Sequence, residues 1–195
     1  MLPFVEGWYM MDRTKITICL DGNFCFILAF MLLLLPFPWV LSVIFATVVH
    51  ELCHALTILA FDGNIYALRL GAGGIRMETD PFPPGREIIV AMAGPLGSAL
   101  LILLARWMPR IAVCGSVHCI YNLLPLFPMD GGRILENLLA LCLPAPLGRS
   151  VFHATQHILR VFLCLLCLLA VLRWGLFAGA LVLLLLWRHR AKRTV

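Results

Sequence analysis

The stretch that decides the reading is Thr47-Val48-Val49-His50-Glu51-Leu52-Cys53-His54-Ala55-Leu56-Thr57. It lies inside an apolar run at 39–61, long enough to cross a bilayer, which takes about 20 mostly apolar residues. Two histidines and a glutamate in the middle of such a run are expensive in hydrocarbon unless partnered, so they mark a working site by default. Residues four apart on a helix stand about 40° from each other around the axis. His50 and His54 therefore project from one face and can share a metal ion. In the pattern H-E-x-x-H two imidazoles hold zinc, and the glutamate, here Glu51, is placed as general base. The competing reading is three polar groups lining a helix interface.

Composition sets the solvent. Of 195 residues 62% are hydrophobic and 13% charged, against about 25% charged in a soluble domain. A chain with half the usual charge cannot cover itself with a polar surface. This excludes a water-soluble enzyme, a disordered chain and a nucleic-acid-binding module, the last because the net charge of +5 is not gathered into a basic patch with stacking aromatics. The partner implied for most of the chain is a lipid bilayer.

Working outward from 39–61, further apolar segments run at 24–35, 87–104, 111–127, 158–172 and 174–187. The first is short unless 16–20 contributes, and it ends at Pro36-Phe37-Pro38 without the small-residue cleavage site of a signal peptide, so it reads as a permanent span. Residues 129–143 are half apolar and read as a helix at the membrane edge. Trp39, Trp107, Trp174 and Trp187 stand at segment ends, where aromatic belts form. Twelve Lys/Arg lie on one side of this arrangement and three, Arg106, Arg110 and Arg173, on the other. The bias puts both termini in the cytoplasm. Between the second and third spans Tyr66, Leu68 and Leu70 alternate with Ala67 and Arg69, as a strand does. Ile75–Glu78 is its return partner after Gly71, Gly73 and Gly74, and Pro81, Pro83 and Pro84 stiffen the exit. The expectation is an all-α membrane protein with about six transmembrane helices and a short cytoplasmic β-hairpin. It forms a single domain over residues 1–195, multi-pass in the cell membrane, with no appended soluble domain.

Seven of the eight cysteines (Cys25, Cys53, Cys114, Cys119, Cys142, Cys164, Cys167) sit in apolar runs, where cysteine behaves as a small hydrophobe. No disulfides are implied, and the spacing of Cys164 and Cys167 reads as packing rather than redox chemistry.

Catalytic zinc takes three protein ligands and keeps one position for water. The soluble extension H-E-x-x-H-x-x-G-x-x-H would require glycine at Thr57 and histidine at Ala60, and neither is present. Asp130 stands out, in Asn122-Leu123-Leu124-Pro125-Leu126-Phe127-Pro128-Met129-Asp130-Gly131-Gly132-Arg133. Two prolines remove backbone donors and two glycines follow, so the segment reads as an unwound helix, tolerated at membrane depth where it lines a cavity or is buried in protein. It could carry Asp130 to a metal, or Asp130 could cap the helix that follows. The residues alone leave the two even. His118, one turn before Asn122, reads as a packed histidine rather than a spare ligand. His153 and His157 read as interfacial.

Together, His50-Glu51-Leu52-Cys53-His54-Ala55, Ala93-Gly94-Pro95-Leu96-Gly97-Ser98 and Asn122…Pro125…Pro128-Met129-Asp130-Gly131-Gly132 resemble the motifs of the site-2 protease family of intramembrane zinc metalloproteases. They stand in the family's order, and the resemblance covers about residues 40–135. The layout is most similar to the stage IV sporulation branch, whose members process a membrane-associated sigma-factor precursor. The resemblance implies His50, His54 and Asp130 as zinc ligands and Glu51 as catalytic base and acid. It implies Asn122 as a donor to substrate backbone or oxyanion. Cys53 stands where the family usually has glycine, Ser98 where it usually has asparagine, and the branch's C-terminal nucleotide-sensing domain has no counterpart. Cys53 reads as a helix-packing residue, with a thiolate ligand as the alternative. The function implied is hydrolysis of a peptide bond in or near a transmembrane or membrane-associated segment of a substrate protein, with a regulatory membrane partner gating access. The hairpin either holds the substrate as an added strand or is a plain connector. The rival function is a zinc-binding membrane transporter. It would not need Glu51 beside His50 and would show internal repeats, which are not visible.

Overall fold

The computed structural model describes residues 17–71 and 74–174. Six helices dominate: α1 (Gly22–Leu34), α2 (Phe37–Ala60), α3 (Pro84–Leu100), α4 (Pro109–Asn122), α5 (Asp130–Cys142) and α6 (Ala145–Trp174). A single 3-10 turn, Leu101–Leu104, extends α3. Prolines begin the helices where a missing N–H is harmless: Pro38 stands at the second position of α2, and Pro84 and Pro109 open α3 and α4.

Two of these helices, Phe37–Ala60 and Pro84–Leu104, are long and apolar enough to cross a membrane. Most of their apolar side chains face outward: Leu41, Phe45, Val48, Leu52, Leu56 and Leu59 on α2 are exposed. An apolar surface of this extent on a monomer marks contact with lipid or protein. On α2 the inward face is one row at four-residue spacing, Ser42, Ala46, His50, His54 and Ile58. Helix α2 packs on α3 and α4, α3 also packs on α5, and α5 on α6. Ala46, Leu101 and Cys114 form the buried cluster at one end, with Trp39, Val43 and Ile111 against it.

Two sequence expectations change. The hairpin is present as β2 (Ile65–Gly71) and β3 (Gly74–Thr79), but it belongs to a three-stranded sheet. β1 (Thr17–Leu20) adds in parallel to β2, with Thr17 opposite Ala67 and Leu20 opposite Leu70. Residues 17–20 therefore do not lengthen the first span. They are extended, and Asp21, whose N–H donates to the Leu70 carbonyl at 2.9 Å, turns the chain into α1. Both α1 and α2 thereby adjoin the sheet, α1 against β2 and α2 against β3. The fourth apolar segment also ends early. Helix α4 stops at Asn122 because Pro125 and Pro128 cannot continue it, and its 14 residues are fewer than the 20 or so of a full span. The half-apolar segment at 129–143 is α5, and that at 158–172 is the second half of α6. The proposed span at 174–187, the N-terminal basic residues and the basic tail lie outside the described residues.

Candidate metal centre

Helix α2 supplies two imidazoles from successive turns, both buried. Asp130, 80 residues from His50 in sequence, meets them: its Oδ2 is 3.0 Å from His50 Nε2 and 3.2 Å from His54 Nε2, and the two Nε2 atoms are 3.1 Å apart. Among the described residues these three form the one group of histidine, cysteine and acidic side chains whose donor atoms converge enough to hold a metal ion. A tetrahedral zinc with bonds of 2.0–2.1 Å spaces its ligand atoms about 3.3 Å apart, close to the triangle formed here.

The outer contacts decide which atoms face inward. His54 Nδ1 donates to the Val90 carbonyl at 2.7 Å. A carbonyl only accepts, so the proton of the neutral ring sits on Nδ1 and the Nε2 lone pair points into the triangle. His50 Nδ1 pairs with Ser98 Oγ at 3.0 Å; with the hydroxyl accepting, Nε2 turns its lone pair into the triangle as well. Two lone pairs and a carboxylate oxygen turned on one another within 3.2 Å repel unless a cation lies among them, so the donor set fits zinc. The second oxygen of Asp130 faces Arg133 Nη1 at 3.5 Å, and Arg133 Nη2 binds Glu87 of α3 at 2.6 Å.

Close helix packing makes room for the centre. A Cβ on Gly94 would overlap His54 Nε2 and come within 2.7 Å of His50 Nε2, so only glycine fits there. One turn along α3, a Cβ on Gly97 would overlap the Cys53 sulfur. Cys53 thus points at α3 rather than into the ligand triangle, and the thiolate-ligand alternative falls. The capping alternative for Asp130 falls as well: Met129 occupies the cap position of α5, Asp130 is the first helical residue, and its carboxylate is turned to the histidines.

Glu51 lies beside His50 on α2, half-buried. Asn122 ends α4, half-buried, with its amide donating to the His118 carbonyl at 3.0 Å. The His118 ring stands edge-on to that of His50, with centroids 4.6 Å apart, as a packed histidine would. His153 and His157 are exposed on α6, away from the ligand group.

The model of the M50B-like peptidase family matches residues 23–126, just over half of the chain. The chain belongs to that family. A zinc metalloprotease of Methanocaldococcus jannaschii is 32% identical to this M50B-like chain over 110 residues, 49% of the chain and 32% of that protein. The aligned part thus spans about a third of the curated relative. The structure of a site-2 protease from Methanocaldococcus jannaschii superimposes with a TM-score of 0.70 at 21% identity, covering 91% of each chain, and establishes the shared fold. Sequence reasoning on this M50B-like chain singled out His50, His54 and Asp130, which the fold brings together. It missed the ring-orienting contacts, because a backbone carbonyl such as that of Val90 leaves no signal in residue types. It met Ser98 only as a departure from the family pattern.

Proposed function

We propose that this M50B-like chain is an intramembrane zinc metalloprotease, cutting a peptide bond in or near a transmembrane or membrane-associated segment of a substrate protein. The observation that carries the proposal is the buried meeting of His50, His54 and Asp130 on an apolar helix that also bears Glu51. When bound, zinc supplies Lewis acidity toward a peptide carbonyl and makes a water molecule easier to deprotonate. His50, His54 and Asp130 would hold it. Glu51 takes a proton from the attacking water and returns it to the leaving amine. The Asn122 amide donates to the oxyanion that develops on the substrate carbonyl. A helical substrate hides its carbonyls in its own hydrogen bonds, so it unwinds near the cut, and the outer edge of β3 receives the freed strand. The transporter reading loses support from the peptidase family match and from Glu51, which transport does not require.

The finer reading, that the substrate is a sporulation sigma-factor precursor, rests on the sequence layout alone. So do six spans, cytoplasmic termini and a gating membrane partner. The test is cleavage of co-purified candidate membrane substrates, with metal content measured on the same preparation. Glu51→Gln should keep zinc and lose cleavage. Near-normal cleavage by Glu51→Gln would sink the protease reading.

A further inference from the structure

The unwound segment between α4 and α5 holds its shape through a side chain from a third helix. Gln156 of α6 is 2% exposed and heads the fully buried side chains by volume. Its Nε2 donates to the Pro125 carbonyl at 2.8 Å, and its Oε1 accepts from the Phe127 N–H at 2.9 Å. An amide is well suited to this: one donor and one acceptor serve two backbone groups two residues apart, as a neighbouring strand would. Pro125 and Pro128 break the helical ladder here, and backbone groups freed in a buried, apolar setting must be satisfied from elsewhere.

The clamp reaches Asp130 through packed backbone. A Cβ on Gly132 would come within 2.5 Å of the Phe127 nitrogen and of the Leu126 carbonyl carbon, and one on Gly131 within 2.5 Å of the Leu123 carbonyl carbon and the Leu124 oxygen. The first turn of α5 therefore rests directly on the segment that Gln156 grips. The Met129 N–H, next to Asp130, donates to Leu126 at 2.8 Å. A shift of 125–127 would carry Asp130 with it, away from the histidines of α2.

We propose that Gln156 is a positioning residue for the metal centre: by clamping Pro125 and Phe127 it holds Asp130 in reach of His50 and His54, and so couples α6 to zinc retention. The inference rests on the zinc reading above. Groups that hydrogen-bond a metal ligand directly shift affinity by about 10–100-fold when lost, and Gln156, acting one step further out, is expected at the low end of that range.

The test uses the full-length chain purified in detergent and loaded with zinc or cobalt. Gln156→Met keeps the volume and removes both hydrogen bonds, Gln156→Asn keeps the amide but is one methylene too short to reach both groups, and exposed His153→Ala on the same helix is the control. Zinc release to a chelator should speed up at least about tenfold in Gln156→Met, and by less in Gln156→Asn. The cobalt absorption spectrum should change in both while His153→Ala matches wild type. Should Gln156→Met not be recovered folded, Gln156→Asn decides. A folded Gln156 variant with wild-type release and spectrum overturns the proposal. A wild-type chain that retains no zinc, equal to His54→Ala, overturns the metal reading instead.

Discussion

Ser98 Oγ lies 3.0 Å from His50 Nδ1, with Ser98 0% exposed and His50 2% exposed. The contact joins α3 to the first imidazole and selects which ring nitrogen faces Asp130. With Ser98→Ala the ring loses its hydrogen-bond partner at Nδ1, and a buried N–H is orphaned. Zinc affinity should fall about 10–100-fold, measured by chelator competition, while the helical circular dichroism stays unchanged. Ser98→Asn, which restores a side-chain acceptor, should recover part of that loss.

The Asp130 carboxylate is divided between two neighbours, with Oδ2 meeting His50 and His54 and Oδ1 facing Arg133. Asp130→Ala should release zinc and abolish cleavage together, read by metal analysis and substrate assay on one preparation. Arg133→Gln removes a two-bond pair with Glu87 and a longer contact to Asp130 but leaves Asp130 Oδ2 facing the histidines, so it should weaken zinc binding by less than Asp130→Ala does. Equal metal loss in the two variants would mean that Asp130 acts through Arg133 rather than as a ligand.

Cys53 and Gly97 share one space between α2 and α3. Cys53→Ala should leave zinc content and cleavage near wild type. Cys53→Leu and Gly97→Ala add volume to a closed contact and should destabilise by about 1–3 kcal/mol, read as a lower thermal midpoint in detergent. A gain in activity from Cys53→Ala, with loss of a thiolate band in the cobalt spectrum, would reinstate the sulfur as a ligand.

On the proposed orientation the 62–86 loop and both termini face the cytoplasm, as the charge bias predicts. Reporter fusions in that loop and at each end should all report the cytoplasmic side. A fusion at Trp107, which follows Pro84–Leu104, should report the other. An external signal from the loop would reverse the orientation.

Local chemistry made much of this protein legible from residues alone. Helical spacing puts His50 and His54 on one face wherever that helix sits. Pro125 and Pro128 unwind the segment after Asn122 whatever surrounds them, and the alternation at 66–70 forms a strand because period two suits nothing else. Each depends on geometry within a few residues. The placement of Asp130 did not: a lone aspartate before two glycines reads equally well as a cap, and only the packing of α5 against α3 brings Asp130 Oδ2 to the histidines. The same holds for Thr17–Leu20, whose strand character comes from pairing with residues 50 positions away. It holds too for Ser98, the Val90 carbonyl and Gln156. Their partners are fixed by which helices touch, and contacts between distant segments leave no periodic trace in the chain.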